Sequence, residues 1–307
     1  MSHGQLDLFD PAVTHPVAPA RAGGRRRNEL LEVARLALVV ARRELNDYSC
    51  PKSKHTYTQP QLLACLVLRA YRKLTYRGTV DLLDASDALR AALGLTRAPA
   101  HATLKMFCDR AVTPALLDRL AGEVLALLVE RGLVVAELAA DSTGVETTGA
   151  SAHFRSRARR VRSGYVKLSL AVACTSVVLV SMALSMGPTN DLCEARALLW
   201  RAAGRCRPDW VLADRGYDAE WVHTFCRAWG PASHVPPVPK AADGTIKSGP
   251  DRVRCGRHEP YVYGRRWHVE TFISGMKRTC GSTLAARSEP ALLAEAGLKA
   301  LAYAIRR

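Results

Sequence analysis

Residues 168–186, LSLAVACTSVVLVSMALSM, run for 19 positions without a charge, the length of a membrane-spanning helix. Their periodicity decides against that helix. Large apolar groups fall at Leu168, Leu170, Val172 and Cys174, with Ser169, Ala171 and Ala173 between them. The alternation returns at Val180, Met182, Leu184 and Met186 against Ser181, Ala183 and Ser185. A beat of two puts alternate residues on opposite faces of a pleated strand. The run therefore predicts two strands joined near Thr175–Val178, and no membrane span. That turn lacks the Gly or Asn that tight hairpins favour.

The neighbouring segments extend the same reading. LVVAELAAD is an apolar strand running into Asp141, and DWVLAD is a short strand delivering Asp214. DLCEARALLWRAAG predicts a helix; a helix at 219–229, a strand near 234–239, a loop over 240–252 and a helix over 263–279 follow. This order gives a mixed α/β sheet with helices packed on its faces, residues 133–307. Residues 28–132 read as helices instead. Asn28 caps NELLEVARLALVVARREL, and Thr58 with Pro60 opens TQPQLLACLVLRAYRKL. Further helices are expected near 79–93, 103–111 and 114–131, the last stopping at Gly132. Residues 1–27 carry Pro11, Pro16, Pro19 and Arg25-Arg26-Arg27 with little apolar period, and read as a mobile basic arm.

Charge narrows the partner. Forty-four Lys and Arg against 28 Asp and Glu leave a formal charge of +16, which favours a polyanion, above all nucleic acid. The linked helices of 28–132 are a common DNA-binding architecture. Arg155, Arg157, Arg159, Arg160, Arg162 and Lys167 follow one another with no acid between them, and are expected to touch DNA. The nine cysteines are scattered, odd in number and without a CxxC, as in a reduced cytoplasmic protein. The start has no basic stretch followed by an apolar run, so no export signal is expected. A nucleoid-associated protein of the cytoplasm fits.

Asp141 and Asp214 are acids at predicted strand ends in a chain that is basic nearly everywhere else, and Glu270 lies on a helix among Arg265, Arg266 and Lys277. Taken singly, Asp141 could cap or turn and Glu270 could pair with Arg266. Taken together, three adjacent carboxylates need a cation to stay ionised. Mg²⁺ prefers oxygen ligands and keeps waters, Mn²⁺ is its substitute, and two such ions suit in-line displacement at phosphorus. Cys255, His258, His268 and Cys280 offer no second close-spaced pair and give no zinc site. Glu137, Glu146, Asp218 and Glu220 flank the acids but are displaced in register, and Asp218 is expected to cap the following helix.

The segment YGRRWHVETFISGMK places Tyr263, Arg266, Glu270 and Lys277 in the spacing Y-(2)-R-(3)-E-(6)-K. It resembles the carboxy-terminal signature of bacterial insertion-sequence transposases with a DDE active site. ADRGYD at 213–218 and DSTG at 141–144 are similar to the segments bearing the family's two aspartates, and LTYRGTVDLLDASDALRAALGL is similar to its amino-terminal region. The resemblance covers roughly 58–304. It implies an RNase H-like catalytic core, metal binding by Asp141, Asp214 and Glu270, and grip on transposon-end DNA by Tyr263, Arg266 and Lys277. The acids are 73 and 56 positions apart, so no large domain fits the second gap, and VACTSVV departs from the family's usual acidic or Gly-containing turn. The implied activity is cleavage of the element's ends and joining of the 3′-hydroxyls to target DNA by a homodimer on double-stranded DNA. A catalytically inactive or domesticated DNA-binding descendant, and a nuclease without strand transfer, are the rival expectations. Gln5, Leu6, Leu8 and Phe9 of QLDLF resemble the short motif that docks bacterial replication and repair proteins on the sliding clamp.

Overall fold

Capping chemistry sets out the helical segment. In the computed structural model, which describes residues 28–52, 54–147, 164–237, 249–255 and 260–307, the Asn28 side chain accepts from the Leu30 and Leu31 amides and starts α1 (Glu29–Glu44). Thr58 and Gln61 form a reciprocal capping box at the start of α2 (Gln59–Tyr71), with Pro60 in its first turn. Thr75, Ser86 and Thr113 cap α3 (Tyr76–Asp84), α4 (Asp87–Leu93) and α6 (Pro114–Val129). Between them, α5 (His101–Ala111) starts without a side-chain cap. The single helix expected over 79–93 is thus two, divided where Ser86 takes the Leu89 amide. The helix expected to reach Gly132 ends at Val129, and Gly132 turns the chain at φ +91°.

Next come β1 (Glu137–Thr147), β2 (Tyr165–Ala173), β3 (Val178–Met186), α7 (Asp191–Ala203), β4 (Trp210–Ala213), α8 (Glu220–Trp229) and β5 (Ala232–His234). The chain closes with α9 (Pro250–Cys255), α10 (Pro260–Gly264), α11 (Trp267–Cys280), β6 (Thr283–Leu284) and α12 (Glu289–Arg306). The sheet order is β3-β2-β1-β4-β5, with β6 also on β1; β1, β2 and β3 pair antiparallel, whereas β4 and β5 add parallel. This is the mixed sheet flanked by helices that the sequence predicts. Three boundaries differ. Asp141 lies inside β1, which continues through the DSTGVET segment because β2 pairs with it as far as Glu146↔Tyr165. The strand near 234–239 is shorter and earlier, the expected loop already turns helical at Pro250, and the helix over 263–279 is two, α10 and α11.

The period of two sorts the sheet onto its faces. Leu168, Leu170, Val172 and Met182 pack on the face covered by α6, α11 and α12, while Ala171, Ala173 and Ala183 meet Leu198, Leu199 and Ala202 of α7 on the other. Val180 departs from its expected face. The β2–β3 register shifts between Ala171 and Val172, where a bulge moves Val180 to the α7 side. Here the outer edge of β3 is covered by side chains. Asp118, buried on α6, accepts from the Met182 amide (2.9 Å); Arg205 donates to the Val180 carbonyl (2.8 Å), and Arg201 to that of Met182 (3.0 Å). Arg205 also pairs with Asp118 at 2.6 Å.

One apolar cluster runs from Val33 on α1 through Leu63 and Leu120 to Leu170 in the sheet and Ile305 on α12. The core therefore passes without a break across residue 132. Burial of such side chains at about 25 cal/mol per Å² is the main force holding the helices on the sheet. Helix α12 lies closely against α11: a Cβ on Gly275 would collide with the Tyr303 hydroxyl. This close approach fixes the helix that carries Glu270. Among the described residues, no helix is long and apolar enough to cross a membrane.

Candidate active site

The parallel pairing of β1 and β4 aligns Ala140 with Ala213, so the next residues, Asp141 and Asp214, emerge side by side. Asp141 shares the strand parity of Ala139, which with Leu212 belongs to the cluster holding Val269, Phe272 and Met276 of α11. The face that presents the aspartates is thus the face crossed by the helix bearing Glu270. Arg266 links the two: it donates to Asp141 Oδ2 at 3.0 Å and to Glu270 Oε1 at 2.5 Å. Lys277, further along the same helix, donates to Thr143 Oγ1 at 2.7 Å. Tyr263 borders a cavity of ≈ 640 Å³ with Asp214, Arg215, Pro236 and Pro237. The three acids and the three remaining residues of the signature are therefore brought to one end of the sheet.

Local bonds hold the acids in place. Asp141 Oδ1 accepts from the Ser142 amide at 2.7 Å, and Asp214 Oδ1 from the Gly216 amide at 2.9 Å, where a short 3₁₀ turn (Arg215–Tyr217) begins. Burial pushes the Asp141 carboxyl above the usual aspartate range, the Ser142 amide and Arg266 oppose this, and neighbouring Asp214 adds to the rise. A carboxylate whose folded pKa is raised stabilises the fold below its ordinary pKa and loses that contribution as pH climbs through the raised one. At neutral pH the ionised Asp141 consequently costs stability. Asp141→Asn is expected to raise the melting temperature at pH 7 by about 2 °C, a gain kept small by solvent screening of a half-buried group. The gain should vanish in acid, and melting curves across that range check it.

Sequence reasoning missed a second charged layer directly beneath these acids. Ser142, next to Asp141 but on the opposite face, bonds to Asp191 at the start of α7. Lys167 is buried, with its ammonium 2.9 Å from Asp191 and 3.5 Å from Glu194. Glu194 in turn accepts from Ser169 at 2.5 Å. The strand parity of Lys167, that of Ser169, directs its side chain inward onto these acids. The only signal for the layer was the acid pair in NDLCEA, which reads equally well as helix-start chemistry. Gly216 in ADRGYD belongs to it too, because a Cβ there would stand 2.5 Å from Asp191 Oδ2 and 3.0 Å from Asp214 Oδ1. Tyr217 is buried with an unpartnered hydroxyl, and burial together with Asp191, Asp141 and Asp214 raises its pKa.

The flanking acids do structural work. Asp218 does not cap α8. It is buried in a bidentate pair with Arg252 of α9, Oδ1 accepting from Nε at 2.6 Å, and it also faces His223 at 3.4 Å. Glu220 accepts the Asp251 and Arg252 amides at 3.0 and 2.9 Å, Glu137 pairs with Arg265, and Glu146 lies on β1 opposite Tyr165. His268 turns to the Arg265 carbonyl (2.7 Å) and stacks on Trp267, an indole exposed beside Glu270. Arg155, Arg157, Arg159, Arg160 and Arg162, the 1–27 arm with Gln5, Leu6, Leu8 and Phe9, and His258 lie outside the described residues.

Among the described residues, no group of three or more His, Cys, Asp or Glu converges as a ready metal cage. At the candidate acids, the Arg266 guanidinium pairs with both Asp141 and Glu270. The donors nevertheless fit a hard divalent cation. They are all carboxylate oxygens, and Asp141 and Asp214 each follow directly on the paired positions Ala140 and Ala213.

A mixed sheet sets Asp141, inside β1, beside Asp214, just past β4, and a helix bearing Glu270 crosses that face. Residues 136–305 match the family described as transposase DDE domain. That match spans more than half of the chain, and the chain belongs to this family. Among solved structures, the cryo-EM structure of a piggyBac transposase synaptic complex with hairpin DNA covers 91% of this chain and 72% of that one, at 11% identity and a TM-score of 0.45. No curated protein matches the chain.

Proposed function

We propose that this transposase-family chain binds the ends of its own insertion sequence, cleaves them by metal-dependent hydrolysis and joins the freed 3′-hydroxyls to target DNA. The observation that supports this reading is the placement of Asp141 and Asp214 directly after the paired positions Ala140 and Ala213 of two parallel strands, with Glu270 one guanidinium away. Asp141, Asp214 and Glu270 would hold two divalent ions, Mg²⁺ or Mn²⁺, which supply Lewis acidity and an activated water. The remaining roles belong to side chains of the chain itself. Arg266, whose planar fork now grips two carboxylates, matches a phosphate equally well. Lys277 adds a point charge beside it, and Tyr263 at the cavity mouth donates to or stacks on the strand. Both chemical steps are in-line attacks on phosphorus, so one site serves both.

Two ends joined together imply two protomers, paired on the DNA. The Arg155–Arg162 run and the helical segment extend the proposed grip on DNA, in a nucleoid-associated protein of the cytoplasm. QLDLF at residues 5–9 is proposed as an attachment to the sliding clamp; a clamp pulldown that survives Phe9→Ala would end that idea. The decisive experiment incubates purified protein with labelled DNA flanking its own gene, with Mg²⁺ or Mn²⁺. Joined molecules with cuts at an inverted-repeat boundary are the expected product. Cuts without joining would identify a nuclease, and shifted but uncut DNA a binding protein.

A further inference from the structure

At the carboxy-terminal end of α11, away from Glu270, the helical segment and the last two helices enclose a cavity of ≈ 700 Å³. Arg69 of α2, Lys73 just after it, Lys105 of α5, Arg287 before α12 and Lys299 within α12 all line it, against one carboxylate, Glu295. Glu295 is already engaged by the Ala285 and Ala286 amides at 3.1 and 2.9 Å. Lys105 pairs with Asp109. Among the described residues, Arg69, Lys73, Arg287 and Lys299 form no ion pair. Lys73 and Lys299 donate only to the main-chain carbonyls of Arg278 (2.9 Å) and Cys280 (2.6 Å).

Several features show that this positive charge is assembled and left uncompensated. Arg69 lies over the Tyr76 ring at 4.1 Å, and its buried Nε has no acceptor among the described residues. Lys73 is held at φ +57°, the left-handed region that Gly favours, at the position that brings its ammonium to the cavity. Burial lowers the Lys299 pKa, and Arg69 and Lys73 press it lower against the pull of Glu295. Ser288 and Ala291 place the first turn of α12 on the wall, where no side chain caps the free amides; such a helix end attracts anions. Several cations, a buried unpaired guanidine nitrogen and a helix amino terminus around one cleft call for a phosphate group.

We propose that this cavity is a phosphate-binding site, and that the backbone of the element's DNA fills it; only that choice of source rests on the transposase reading above. Helix α11 links it to the catalytic acids. Glu270 and Cys280 stand ten residues apart on one helix, about 15 Å, which is about four base pairs of duplex. DNA cut at Glu270 would thus pass the cavity within half a helical turn.

The test uses full-length protein, the double variant Lys73→Gln/Arg287→Gln, and Arg35→Gln as a charge control, because Arg35 is an exposed cation on α1 paired with Glu32. Binding of a fluorescein-labelled duplex of the flanking DNA is followed across a salt series. The double variant should bind roughly tenfold more weakly at low salt, with a log–log salt slope shallower by about 1.8, or about 0.9 per lost phosphate contact. Arg35→Gln should match wild type. Arg287→Gln alone removes no hydrogen bond found among the described residues, so it keeps the test open if the double variant unfolds, and should lose about 0.9 of slope. Pyrophosphate and dATP are added in a parallel melting assay. A rise in melting temperature that the variant loses, with an unchanged DNA slope, would assign the site to a free phosphorylated ligand. Equal slopes and equal melting responses in variant and wild type would overturn the site. Cleavage is scored separately: no cutting by wild type with a lost slope rejects the transposase reading and keeps the phosphate site, and cutting with unchanged slopes and melting does the reverse.

Discussion

Asp214→Asn should lower cleavage and strand joining by at least roughly 10³-fold and leave duplex affinity at or slightly above wild type. The amide is isosteric and can still accept the Gly216 amide that starts the 3₁₀ turn, so the backbone around the site should hold. What changes is charge. Asp141 and Asp214 repel, and that repulsion contributes to the raised pKa of Asp141. Removing it eases ionisation of Asp141 but takes a full negative charge from the donor set of a divalent cation. The same loss reduces repulsion toward DNA phosphates, which is why binding should not fall. Gel-based cleavage and anisotropy on the same preparation separate the two effects. Cutting by the variant within tenfold of wild type would remove Asp214 from the catalytic role.

Asp218→Ala should lower stability by about 3–5 kcal/mol, read as a fall in melting temperature of about 10 °C. The pair it breaks is fully buried: Arg252 is 1% exposed and Asp218 8%. Alanine would remove the carboxylate that now grips the buried Arg252 guanidinium with both oxygens. It would also loosen the link between α9 and the turn that carries Asp214, so activity should fall together with stability. Asp218→Leu combined with Arg252→Met replaces both charges with apolar groups and should recover most of the loss. A shift below about 2 °C for Asp218→Ala would show that the pair is worth little in solution.

These residues also mark how far the sequence could be read. The hairpin was legible because a beat of two survives in the letters, and the caps at Asn28 and Thr58 were legible because each acts within three residues. DSTG looks like a turn that would leave Asp141 at a strand end, and only pairing with β2 keeps it extended. Asp218 looks like a local cap in the sequence because its partner lies 34 residues on. Lys167 stands at the end of a cationic run in the sequence, and its place next to Asp191 and Glu194 depends on how α7 packs on β2. The bulge at Val180 had no signal in the alternation at all. Chemistry carried by spacing along one element was readable, and chemistry created where two elements meet was not.

The outer side of β3 has a consequence for assembly. Its Met182 amide and the carbonyls of Val180 and Met182 are taken by Asp118, Arg205 and Arg201, so around the bulge they are closed to another strand. Two copies of the chain cannot fuse their sheets across this stretch. Any contact there has to be made between finished surfaces, and can form or come apart without any strand changing partners.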